Sequence, residues 1–89
     1  MAESEEKDTL TVRYFAAARA AAGTETETVP VPAGCTVDGL VERIGNGRPS
    51  LANVLARCSF LLDEVAVRDR SRVVPRGCTM DVLPPFAGG

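Results

Sequence analysis

Val37, Leu40, Val41 and Ile44 recur at i, i+3, i+4 and i+7, the stripe of an amphipathic helix. Thr36 before the stripe is a good N-cap, Asp38 sits where the helix dipole favours negative charge, and Gly45 is expected to supply the stop. This stripe constrains the fold most, because it demands an opposing apolar surface and the surrounding segments are mainly β-prone. Burying each of the four side chains is worth roughly 1.5–3 kcal/mol, which makes this helix the main lid on any core.

The opposing surface is legible in outline. From Thr9 to Phe15 the chain alternates, with Leu10, Val12 and Tyr14 on one face and Thr9, Thr11, Arg13 and Phe15 on the other. Ala16 to Ala22 is rich in helix formers, but too short to hold a helix without tertiary help, and reads as a turn or short helical loop ending at Gly23. Thr24 to Val31 is β-prone, and Pro30 assigns it to an edge, since proline donates no ladder hydrogen bond. Leu51, Val54, Leu55 and Cys58 give a second, short helix. A strand is expected within Phe60 to Val67, most clearly at Val65 to Val67. A brief one follows at Arg72 to Val74, and the last runs from Met80 to Leu83. The economical solution is an α+β domain, a mixed sheet of four to five strands packed on one main amphipathic helix.

At 89 residues the chain makes one domain with a small core. Residues 1–8 are acidic and lack large apolar side chains after Met1, and read as a disordered leader; residues 9–83 form the domain and 84–89 a tail. The domain is nearly neutral and poor in aromatics, which argues against nucleic-acid binding. No apolar run approaches the ~20 residues of a membrane span, and the polar N-terminus is unlike a secretory signal, so a cytoplasmic location is expected.

Reactive chemistry is scarce. The absence of histidine removes the usual general base and the commonest metal ligand. Cys35, Cys58 and Cys78 form no C-x-x-C pair and read as small buried hydrophobes, so neither a metal nor a bound cofactor is expected. Asp63 and Glu64, read as strand neighbours pointing to opposite faces, are solvated charges. Arg68, Arg70, Arg72 and Arg76 read as a solvated turn face or as a basic patch for an acidic partner. Acting alone, such a chain is not expected to be an enzyme.

What remains is the ending, Pro84-Pro85-Phe86-Ala87-Gly88-Gly89. Two prolines favour an extended path, and two glycines leave the terminal carboxylate uncrowded. Six extended residues span at most about 20 Å, enough to thread a bare carboxyl into another protein's active site.

The stretch from Val12 to Arg19 (Val-Arg-Tyr-Phe-Ala-Ala-Ala-Arg), the Thr-Val-x-x-Leu helix start at Thr36 and the closing Val82 to Gly89 resemble the small subunit of molybdopterin synthase, a family of ubiquitin-like β-grasp sulfur carriers. The resemblance covers nearly everything after the leader. It implies that an ATP-dependent activating enzyme adenylates Gly89, that sulfur replaces AMP to give a thiocarboxylate, and that the sulfur passes to a pterin precursor in the large subunit. The partners implied are that large subunit and the adenylating enzyme, with ATP used by the latter. Related carriers of this fold serve thiamin, cysteine, tRNA or natural-product pathways. The competing readings are a protein modifier conjugated through Gly89 and a plain interaction module.

In a β-grasp sheet the first and last strands are central neighbours. If Leu10, Val12, Tyr14, Met80 and Val82 face the helix, alternation turns Phe15 and Leu83 outward beside the tail. Those two, with Pro84, Pro85, Phe86 and Ala87, are the expected partner-binding residues, and Gly88 and Gly89 the reactive end. The chain departs from the family in carrying Cys78-Thr79 where Asp-Glu is common before the last strand, and Arg68-Asp69 where an Asn is common.

Overall fold

The computed structural model describes residues 8–85. Strand β1 (Thr9–Tyr14) buries Leu10, Val12 and Tyr14 and leaves Arg13 exposed, as its alternation requires. β2 (Thr26–Pro30) pairs antiparallel with β1 from Thr9↔Pro30 to Arg13↔Thr26, and Pro30 lies on the sheet edge, where its missing donor costs nothing. β5 (Thr79–Leu83) runs parallel to β1, bringing the first and last strands together as expected. β3 (Ser59–Leu62) pairs antiparallel with β5, and β4 (Val65–Ala66) completes the five-stranded order β2-β1-β5-β3-β4.

The first helix, α1 (Ala16–Ala22), corrects the expectation of a turn. Its seven residues are stabilised from outside: Ala18 is fully buried, and the helix packs on α3 (Pro49–Leu55). It ends as the sequence indicates, at Gly23 with φ of 80°, whose N–H donates to the Arg19 carbonyl at 2.9 Å.

The main helix, α2 (Val37–Gly45), starts where the capping signal places it. Thr36 Oγ1 accepts from the Gly39 N–H at 3.1 Å, while the N–H groups of Val37 and Asp38 donate to the carbonyls of Arg72 and Arg70, each at 3.0 Å. Val37, Leu40 and Ile44 are buried with Leu10, Val12, Phe60, Met80 and Val82 in one core, and Val41 is half-buried at its margin.

Gly45 is a helical residue, not the stop. The chain leaves the helix at Asn46, and the left-handed residue is Gly47, with φ of 75°. Glycine is needed at 45 because α3 crosses there: a Cβ would lie 3.1 Å from Ala52 Cβ and 3.2 Å from its Cα. Gly45→Ala would gain about 1 kcal/mol of helix propensity but incur roughly 1–3 kcal/mol of overpacking. The backbone Cα of Ala52 cannot rotate away, so the steric cost dominates. Chemical denaturation of this variant is expected to show a net loss of about 1 kcal/mol.

The region after α3 also differs from expectation. The well-buried strand is β3, with Phe60 and Leu62 inward, whereas β4 is a two-residue edge. Asp63 and Glu64, at φ of 46° and 72°, form the two-residue turn between them rather than adjacent strand positions. Arg72 to Val74 makes only a single bridge, Thr36↔Val73. At the other end Asp8 belongs to the folded part: its carbonyl accepts from the Val31 N–H at 2.7 Å and its carboxylate pairs with Arg76. The rest of the expected leader, residues 1–7, lies outside the described residues.

Candidate functional site at the root of the last strand

The sheet has one face under α2 and one open face. β5 is central, so its end delivers the chain to Pro84 and Pro85 between elements on both sides. Phe15 follows β1 in extended conformation (φ −122°, ψ 148°) and caps α1, and the sharp turn is taken at Ala16, with φ of 52°. This holds the Phe15 ring, 39% exposed, beside half-buried Leu83. Phe15, Ala16, Ala17, Ser59, Leu83, Pro84 and Pro85 line a groove of about 640 Å³. A second groove, of about 770 Å³, shares Ala17, Pro84 and Pro85 and continues to Val54 and Arg57.

Of the residues singled out from sequence, Phe15, Leu83, Pro84 and Pro85 are thus brought together. Phe86, Ala87, Gly88 and Gly89 lie outside the described residues.

Sequence reading missed the charged pair beside them. Arg13 donates to Asp81 twice, Nε to Oδ1 at 2.7 Å and Nη2 to Oδ2 at 3.0 Å, across the parallel register Arg13↔Asp81. Asp81 is 5% exposed, the buried charged residue of the sheet, and the hydrogen bond and charge it offers raise the Arg13 guanidinium pKa. The partners are 68 positions apart. The available signal was the expected pairing of the first and last strands.

A second polar cluster is structural. Tyr14 Oη donates to Glu27 Oε1 at 2.8 Å, and Arg48 Nη2 donates to the same oxygen at 2.9 Å, tying β1 and β2 to the loop after α2. Burial would push the Glu27 carboxyl up, but the hydrogen bonds from Arg48 and Tyr14 outweigh it and hold it below the usual range.

The arginine cluster is not one uniform patch. Arg70 donates to the Cys58 carbonyl at 2.9 Å and lies over the Phe60 ring at 4.8 Å, and Arg76 pairs with Asp8. Cys58 and Cys78 are buried, which raises their thiol pKa values, and they donate to the carbonyls of Val54 and Pro75. Cys35 is half-buried against the Thr36 carbonyl. Among the described residues no group of His, Cys, Asp or Glu could hold a metal ion, and no helix is long and apolar enough to cross a membrane.

Parallel first and last strands at the centre of a mixed sheet, one main helix across it and a strand that runs out past an apolar groove define a ubiquitin-like β-grasp protein. The same architecture is found in small archaeal modifier protein 1 (SAMP1) from Haloferax volcanii, at 21% identity and a TM-score of 0.78, covering 91% of this chain and 99% of that one. It is found also in a chain of the complex of subunits 1 and 2 of the Helicobacter pylori molybdopterin-converting factor, at 20% identity and a TM-score of 0.66, covering 91% of this chain and 99% of that one.

Within that class, the chain belongs to the ThiS family, whose model matches residues 12–89. A molybdopterin synthase sulfur carrier subunit from Chlamydomonas reinhardtii is 30% identical over 81 residues, 90% of this chain and 98% of that protein.

Proposed function

We propose that this chain is a sulfur carrier, the small subunit of a molybdopterin synthase, and that its reactive group is the carboxyl of Gly89. The observation that carries the reading is the placement of Pro84 and Pro85. The central strand β5 ends at Leu83 and hands the chain to them on the rim of the Phe15–Leu83 groove, so a partner seated on that groove receives the tail directly. Near-full-length likeness to a molybdopterin synthase sulfur carrier subunit supports the choice of pathway.

The chemistry follows from the carboxylate being a poor acyl donor, because oxide is a poor leaving group. In the proposed sequence a Gly89 carboxylate oxygen attacks the α-phosphorus of ATP in the adenylating partner and pyrophosphate leaves. A sulfide sulfur then attacks the acyl carbon, the C–O bond to AMP breaks, and a thiocarboxylate remains. The large subunit takes up the charged tail, and the thiocarboxylate sulfur bonds to a carbon of a pterin precursor bound there. Water then attacks the Gly89 acyl carbon, breaking its bond to sulfur and returning the carboxylate. This chain supplies the aimed acyl group and the docking face and leaves catalysis to its partners, a group-carrier role of the kind cofactors otherwise fill.

Intact mass measurement after incubation with the adenylating enzyme, ATP and a sulfur donor tests this. The expected result is a sulfur-for-oxygen exchange localised to Gly89, lost again on addition of large subunit and pterin precursor. The β-grasp fold shared with an archaeal modifier favours a second reading, in which the Gly89 acyl group is transferred to a lysine amine of a target. A ladder of conjugates in cell extract would support that reading, and a thiocarboxylate with no ladder would count against it.

A further inference from the structure

We propose that Arg13 and Asp81 act as a clamp that presets Phe15 as the anchor of the docking face, an inference that rests on the carrier reading and names a positioning device within it. Three side chains are linked in series across the open face. Asp81 on β5 holds the Arg13 guanidinium on β1 at 2.7 and 3.0 Å, and the guanidinium carbon stands 5.7 Å from the Phe15 ring centroid. Arg13 and Phe15 are two residues apart, so the strand alternation already turns them the same way.

The arrangement has a cost: the Asp81 carboxylate is buried at 5% exposure, while the Arg13 side chain that pairs with it stays 46% exposed. A half-exposed ion pair contributes little net stability against a desolvated carboxylate, and apolar residues of similar size at both positions would avoid that cost. On an open sheet face beside an apolar groove, two such residues would extend the groove. The charged pair instead stops the apolar surface at Phe15 and Leu83 and fixes the aromatic ring that borders it. A large exposed ring otherwise loses rotamer freedom when a partner covers it, and one already held by a bidentate guanidinium loses less.

The geometry also makes the pair directional. The guanidinium that touches Phe15 sits on β1, while the carboxylate sits on β5 beside Leu83. Exchanging the two charges keeps the ion pair and removes the cation from Phe15.

The test is therefore the exchange Arg13→Asp/Asp81→Arg against the single variant Asp81→Asn, with thermal unfolding and affinity for the molybdopterin synthase large subunit as readouts. Asp81→Asn is expected to lower both. The exchange is expected to recover most of the thermal stability yet bind the large subunit about three- to tenfold more weakly than the wild-type chain, the scale set by ordering one aromatic side chain. Wild-type affinity in the thermally recovered exchange variant would overturn the clamp and leave the pair a plain structural tie. An exchange variant that does not recover its stability is read through Phe15→Leu in the wild-type and Asp81→Asn backgrounds. A clamp predicts that the ring's contribution to binding shrinks when Asp81 is neutralised, and an unchanged contribution would overturn it. Failure of the wild-type chain to bind the large subunit at all would remove the docking face itself, and the clamp with it.

Discussion

Leu40→Asp is expected to unfold the domain outright, seen as loss of the cooperative thermal transition and of most far-UV ellipticity. Leu40 is fully buried at the centre of the α2 stripe, within the single core cluster. Removing a buried leucine side chain alone costs about 2–5 kcal/mol. The substitution also places a carboxylate among apolar side chains, where it must either stay charged and unpaired or take up a proton at a raised pKa, at a further cost of several kcal/mol. A domain of this size has a total stability on the order of 5–10 kcal/mol, so the sum meets or exceeds it. Leu40→Ala separates the two costs: it is expected to remain folded with stability lowered by about 2–5 kcal/mol. A cooperative transition in Leu40→Asp near the wild-type temperature would mean that α2 is not the lid on this core.

The same stripe shows why some of the fold was legible in the sequence and some was not. Periodicity reports which side of an element meets the core, so β1 and α2 were readable from their own residues. The end of α2 was not, because the reason for glycine at 45 is the backbone of Ala52 on another helix, not the local turn. The helix α1 was missed for a related reason: its residues favour a helix, but its length is sufficient only once Ala18 is buried. At β3 and β4 the error was one of weighting. The β-branched Val65 and Val67 looked more strand-like than Phe60 to Leu62, yet burial falls on Phe60 and Leu62, and Asp63-Glu64 takes the left-handed turn.

The site divides along the same line. Phe15 and Leu83 were placed outward by counting along their own strands, and the structure brings them together with Pro84 and Pro85. Arg13 and Asp81 are each unremarkable in sequence: one more arginine among nine, and one acid in an apolar strand. Their meaning is a property of the parallel register between the chain's two ends, which sequence spacing does not encode. The carboxylates absent from positions 78 and 79 have a spatial counterpart of this kind. Asp63, at the β3–β4 turn, accepts from the Thr79 N–H at 3.0 Å and so returns an acid to the same neighbourhood.

Deleting Gly88 and Gly89 is expected to abolish sulfur loading while leaving thermal unfolding unchanged. The core closes without them: β5 ends at Leu83, and its parallel pairing with β1 and antiparallel pairing with β3 involve no residue beyond Leu83. The chemistry does not survive, for two reasons that act together. The shortened tail reaches about 7 Å less far, at 3.3–3.6 Å per extended residue, so its carboxyl falls short of a pocket built for the longer chain. That carboxyl also belongs to Ala87, whose Cβ crowds the acyl carbon where glycine leaves it open to attack. Proximity effects make such a misplacement severe, since displacement of about 1 Å can cost a hundredfold in rate. Restoring the length with Gly88→Ala/Gly89→Ala tests the two reasons separately. If reach dominates, this variant recovers measurable loading; if access to the acyl carbon dominates, it stays near zero. A truncated chain that still exchanged oxygen for sulfur at its new terminus would show that the glycines are not the reactive end, and the carrier reading would fall with them.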